Sequence, residues 1–130
     1  MKIKLCGLKR IEDIEAVNEA KPDYIGFIFV KKSRRYVSPE TAEQLKQQLD
    51  HEIEAVGVFV NEDINTVIEQ TKKQVIDVIQ LHGEEDITYV KNLKKVVGVP
   101  IIKAISMTKP DARQQIRMWE ISDVDYLLLD

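Results

Sequence analysis

The sequence predicts an α/β fold on a parallel sheet, and three observations carry that reading. Short apolar runs alternate with longer amphipathic segments along all 130 residues, the pattern of repeated βα units. Each unit takes roughly 20 to 30 residues, the length that a strand, a helix and two short loops need. The alternation never lapses into runs of strands or runs of helices, so successive strands must be joined by right-handed helical crossovers. No linker or low-complexity tract divides the chain, and residues 1–130 read as one domain.

The first strand is Ile3 to Gly7, closed by its glycine. Glu12 to Ala20 then places Ile14, Val17 and Ala20 at helical spacing. The second strand is Tyr24 to Val30. Ser38-Pro39-Glu40 follows it, an N-cap, a first-turn proline and an acid, and starts a helix reaching about Leu49. The third strand is Ala55 to Val60, after which Asn61 and Asp63 are expected to cap a helix over Ile64 to Lys73. The fourth strand is Val75 to Leu81, ended by His82-Gly83, with a helix around Ile87 to Val97. The fifth is Val99 to Ile105. Thr108, Pro110 and Asp111 start a last helix to about Ile121, and Tyr126 to Leu129 is a sixth strand followed by Asp130.

Two architectures use such units. One is a doubly wound, flavodoxin-like open sheet, which suits five or six strands. The other is part of a (β/α)8 barrel, which normally needs about 250 residues. Length alone favours the open sheet. No Gly-rich loop follows the first strand and no Walker pattern occurs, which removes two common doubly wound functions.

Composition narrows the classes further. The chain is 44% hydrophobic and 32% charged with a formal net charge of -3, ordinary for a globular domain. That mild acidity argues against a nucleic-acid or membrane-surface protein. Lys31, Lys32, Arg34 and Arg35 form a local basic cluster that suits one small anion. The single cysteine excludes an internal disulfide and fits a reducing cytoplasm. Met1 to Arg10 carries charges within its apolar run and does not read as a signal peptide. No apolar stretch approaches the roughly 18 residues of a membrane span.

Strands buried on both faces should be almost wholly apolar, so their polar residues need a reason. Lys4 and Cys6 lie on strand one, Gln80 and His82 at strand four, Lys103 on strand five and Asp130 after strand six. All sit towards the C-terminal ends, where both architectures bind ligands. Each also has an ordinary reading. Cys6 alone is first a small core residue, His82 a turn histidine, and Asp130 a cap or loop residue. Lys4 and Lys103 can snorkel to the rim, and the Lys31–Arg35 run can be a solvated loop. Their coincidence carries more than any one of them, but it names no reaction.

The local strings do. Lys4-Leu5-Cys6-Gly7 resembles the opening of the phosphoribosylanthranilate isomerase family. Gly26-Phe27-Ile28-Phe29 and Ser33-Arg34-Arg35-Tyr36-Val37-Ser38-Pro39 are similar to that family's second strand and loop. Val56-Gly57-Val58-Phe59-Val60-Asn61, Val78-Ile79-Gln80-Leu81-His82-Gly83-Glu84 and Leu127-Leu128-Leu129-Asp130 resemble its third, fourth and sixth strands, in order and at family-like spacing.

The resemblance implies a TIM-barrel isomerase of tryptophan biosynthesis that uses no metal and no organic cofactor. Its reaction is an Amadori rearrangement of N-(5-phosphoribosyl)anthranilate, a sugar phosphate, to 1-(2-carboxyphenylamino)-1-deoxyribulose 5-phosphate. Opening the ribose ring needs an acid, and the resulting Schiff base needs a base to take the neighbouring proton. By resemblance Cys6 is the general base and Asp130 the general acid. Cysteine acts as the thiolate, and Lys4, two residues earlier, is a candidate to stabilise it. Arg35 matches the arginine that contacts the anthranilate end, where a planar guanidinium suits a carboxylate. Gln80 and His82 match pocket-lining positions.

Family members run to about 200 residues, whereas this sequence stops at the presumed acid. The expectation is therefore a barrel truncated after strand six, without the loops after strands seven and eight that usually hold the phosphate. Such a piece, inactive by itself, would leave two edge strands open and would self-associate to cover them. The alternatives are a catalytically dead partial barrel that acts only as a self-associating structural fragment, and the open sheet.

Overall fold

The computed structural model describes residues 1–130. Its elements are β1 (Lys4–Cys6), α1 (Ile11–Ala20), β2 (Tyr24–Ile28), α2 (Pro39–Gln48), β3 (Glu54–Phe59) and α3 (Ile64–Lys72). They continue as β4 (Val78–Leu81), α4 (Ile87–Lys94), β5 (Ile101–Ile105), α5 (Ala112–Glu120) and β6 (Tyr126–Leu129). All strand pairs are parallel and the spatial order is β1-β2-β3-β4-β5-β6. A flavodoxin-like sheet would place β2 outside β1, so the open-sheet alternative fails. Strands that follow one another around the sheet are those of a (β/α)8 barrel, six of whose eight strands are present.

The sheet curls. Lys4 on β1 hydrogen-bonds to Gln80 on β4, whereas a flat sheet would separate those strands by three spacings, about 14 Å. Register fixes which side chains share the concave face. Cys6 pairs with Gly26, Gly26 with Val56 and Val56 with Val78. Val58 pairs with Gln80, Gln80 with Ile102, and Ala104 with Leu128. The alternate residues face the helices. Ile25, Phe27, Ala55, Phe59, Ile79, Leu81, Ile101 and Ile105 make the core there with Ile14, Val17, Leu45, Val67, Leu93 and Trp119. No helix is long and apolar enough to cross a membrane.

Local chemistry sets the helix starts. Ser38 Oγ accepts from Thr41 N–H with Pro39 in the first turn, and Asp63 and Asp86 accept from Asn65 and Tyr89 N–H. Asn61, expected as a cap, is not one: it adopts φ 51 and its side chain accepts from Glu84 N–H at 2.7 Å. Several ends differ from the sequence reading by one to three residues, and β2 stops at Ile28 rather than Val30. β4 starts at Val78 rather than Val75 and β5 at Ile101 rather than Val99, while α4 stops at Lys94. Val75, Ile76 and Val97 are buried without being paired, and burial is what the apolar runs recorded.

One aspartate before each even-numbered strand ties the N-terminal ends together. Asp23, Asp77 and Asp125 donate their backbone N–H to Ile3, Ala55 and Ile101 carbonyls. Each accepts the same residue's N–H on its side chain, at 2.7, 2.8 and 2.7 Å. Lys46 and Lys94 pair with Asp77 and Asp125. Burial pushes the Asp125 carboxyl up, but the Lys94 ammonium and the Ile101 N–H outweigh it and hold it below 3.8. A carboxyl depressed on folding contributes stability above its unfolded pKa, and that contribution is lost as pH falls through the folded value. Unfolding free energy is therefore expected to drop below about pH 4, and Asp125→Asn to flatten that acid limb in urea titrations.

Candidate functional site

The C-terminal ends of the strands gather the polar residues of the concave face. Cys6 ends β1 and is half-buried. Its room comes from β2: a Cβ on Gly26 would stand 2.6 Å from Cys6 Sγ, so only glycine leaves space for the thiol. Gly7 follows at φ 90, and Arg35 from the loop after β2 lies across it. The Arg35 Nη1 donates to the Cys6 carbonyl at 3.3 Å. A Cβ on Gly7 would meet the Arg35 side chain at 2.5 Å, so the two residues fit as a pair.

Beside Cys6, a hydrogen-bonded row that starts at Lys4 crosses the face. Lys4 Nζ donates to Gln80 Oε1. Gln80 Nε2 lies 3.0 Å from His82 Nδ1, and His82 Nε2 lies 3.2 Å from Asp130 Oδ2. Burial lowers the Lys4 ammonium below 10.5; the nearby Cys6 opposes this and Arg35 adds to it. Asp130 is held from both sides of its backbone. Its N–H donates to the Ile105 carbonyl at 2.9 Å, and its carbonyl accepts from Met107 N–H at 2.6 Å. Its side chain is 67% exposed apart from its contact with His82. Of the residues singled out from sequence, Lys4, Cys6, Arg35, Gln80, His82 and Asp130 meet here. Lys31, Lys32 and Arg34 stay on the solvated loop.

Lys103 does not join them, which corrects the reading that grouped it with this site. Register pairs it with Leu81, not with Gln80, so it points towards the helices. There Lys103 Nζ donates to the Gly83 carbonyl at 2.7 Å and to Glu85 Oε1 at 3.0 Å, and lies 5.4 Å from the Trp119 ring centre. Glu85 also accepts from Gly83 N–H at 3.0 Å and Asn61 N–H at 2.8 Å. This buried cluster fixes the turn that presents His82. Glu85 was missed because an acid in a loop reads as solvated, and Asn61 because it read as a helix cap.

The sequence matches the family described as N-(5'-phosphoribosyl)anthranilate isomerase over residues 3–130. It is 43% identical over 130 residues to the N-(5'-phosphoribosyl)anthranilate isomerase of Lachnoclostridium phytofermentans, covering all of this chain and 58% of that protein. Against the enzyme of the same name from Clostridium acetobutylicum it is again 43% identical, covering 60% of it. The fold superposes on the crystal structure of phosphoribosyl anthranilate isomerase from Thermotoga maritima with a TM-score of 0.85 at 30% identity, over 100% of this chain and 62% of that one. A second such enzyme, solved in complex with reduced 1-(o-carboxyphenylamino)-1-deoxyribulose 5-phosphate, gives 0.86 at 32% identity, over 100% of this chain and 64% of that one. The chain thus spans about 60% of the length of the relatives it matches.

Proposed function

The chain belongs to the N-(5'-phosphoribosyl)anthranilate isomerase family, and from that premise we propose that it carries the acid–base half of an isomerase site for phosphoribosylanthranilate. The observation that carries this reading is the placement of Cys6 and Asp130 at strand ends on one concave face, with Asp130 at the far end of the row that begins at Lys4, two residues before Cys6. Asp130, as the carboxylic acid, gives its proton to the ring oxygen while the bond from that oxygen to C1′ breaks, and the anilinic nitrogen closes a C=N bond. Cys6, as the thiolate, takes the proton from C2′. That electron pair forms C1′=C2′, and the C=N pair returns to nitrogen. The enol then becomes the ketone as C1′ gains the proton held by Cys6 and the enol oxygen yields its own to Asp130, which resets both groups. The Arg35 guanidinium, braced over Gly7, pairs with the anthranilate carboxylate. The phosphate is held by the loops that follow strands seven and eight of a complete barrel. No step calls on a metal or an organic cofactor, and the setting is cytoplasmic.

The test is a chimera in which this chain replaces the matched residues of the Clostridium acetobutylicum relative, assayed by the loss of phosphoribosylanthranilate fluorescence. Turnover is expected. A folded chimera that binds the reduced product analogue but does not turn over would sink the proposal.

The isolated chain has a second expected property. Tyr126, Leu128 and Leu129 on β6 and Leu5 on β1 are 58, 38, 53 and 41% exposed, and both strands have an unpaired edge. A second copy is the occupant proposed for these edges. Sedimentation is expected to give a mass at least twice the 15.0 kDa of the chain; a stable monomer at micromolar concentration would refute self-association.

A further inference from the structure

The row from Lys4 to Asp130 has a direction, and its donor and acceptor chemistry sets it. An ammonium only donates. The Gln80 atom facing Lys4 is therefore its amide oxygen. The other end of the same amide, an NH2 group that only donates, faces His82 Nδ1 at 3.0 Å. Nδ1 must then accept, so it carries no proton. A neutral imidazole with a bare Nδ1 holds its proton on Nε2, and His82 Nε2 lies 3.2 Å from Asp130 Oδ2.

We infer that Lys4 and Gln80 are positioning residues that lock His82 in its neutral Nε2–H tautomer, with that N–H aimed at the Asp130 carboxylate. The tautomer follows from geometry alone; its catalytic meaning rests on the isomerase reading. His82 is then neither acid nor base. It supplies one donor that orients Asp130 and stabilises the carboxylate once the proton has left. The Glu85–Lys103 cluster holds the backbone on either side of Gly83, so the ring is fixed from its turn as well as from its Nδ1. Gln80 is 3% exposed, and water has little access with which to satisfy the amide otherwise.

Long-range proton–nitrogen NMR of the native chain tests this without turnover. The chain has two histidines, His51 and His82, and His51→Gln assigns the signals. The expected result is a pyridine-like Nδ1 and a pyrrole-like Nε2 on His82. In Gln80→Glu a carboxylate accepts from both Lys4 and the ring, so the Nδ1 signal should move to the pyrrole-like region. In Gln80→Leu, and in Lys4→Met, which frees the amide to turn over, it should move towards the average of the two tautomers. A pyrrole-like Nδ1 in the native chain overturns the inference, as does a Gln80→Glu spectrum unchanged from native. The native spectrum alone can decide if the variants do not fold. In the chimera, Gln80→Glu is expected to lower kcat by roughly tenfold with KM unchanged, because Arg35 still binds substrate; a merely structural role would raise KM as well. An inactive chimera whose chain shows the expected tautomer would count against the isomerase reading and leave this one standing.

Discussion

Replacing Cys6 by serine in the chimera is expected to lower kcat by about a thousandfold with KM little changed. A positioned general base contributes 10²–10⁴-fold, and a serine hydroxyl does not ionise in the range where a thiol does. The substitution keeps the shape that Gly26 and Arg35 fit around, since the oxygen is smaller than Sγ, which a Cβ on Gly26 would crowd at 2.6 Å. Asp130→Asn should cost a similar factor, because the amide keeps an oxygen to accept from His82 Nε2 at 3.2 Å but has no proton to give. The two together should cost little more than either one, as expected of groups acting on one reaction path. Turnover within tenfold of the parent in either single variant would remove that residue from its proposed role.

Glu85→Ala is expected to be the most destabilising single substitution, by about 3–5 kcal/mol, because it leaves a charged partner buried. The Glu85 and Lys103 side chains are 1% and 5% exposed. The alanine would also strip the acceptor from Gly83 and Asn61 N–H, and an unsatisfied buried donor has its own cost. Urea unfolding measures this directly. The double variant Glu85→Leu with Lys103→Met separates charge from packing: it should recover a large part of the loss, since removing both ions removes the desolvation penalty. A single variant within 1 kcal/mol of the parent would show that water reaches the pair.

Much of the site was legible in the sequence, and the reason differs by residue. Two helix starts were legible because caps act within a few residues: Ser38 and Asp63 each accept an N–H close by in sequence. Asn61 read as a cap by the same logic, but its partner is Glu84 N–H, on the far side of α3. Strand ends were less legible at Val75 and Val99, since an apolar run reports burial and pairing is a separate event. Cys6, Arg35, Gln80, His82 and Asp130 were found because polar residues at the C-terminal ends of buried strands need a cause, and because their strings resembled one family.

By itself the sequence determined the alternation of strands and helices, the residues that bury, and the family. The choice between barrel and open sheet from periodicity was beyond it, because both use the same local unit and differ only in which strands become neighbours. The face that each polar residue joins was also decided by tertiary structure. Lys103 and Gln80 both sit near strand ends, and side chains alternate with a period of two on each strand. Their relative parity exists only once β4 pairs with β5 in one register, Leu81 opposite Lys103. That single pairing sends Lys103 to Glu85 and the helices and leaves Gln80 to face Lys4 across the curled sheet. Contacts between residues 76 positions apart depend on curvature summed over several strands, and no local preference in the chain encodes it.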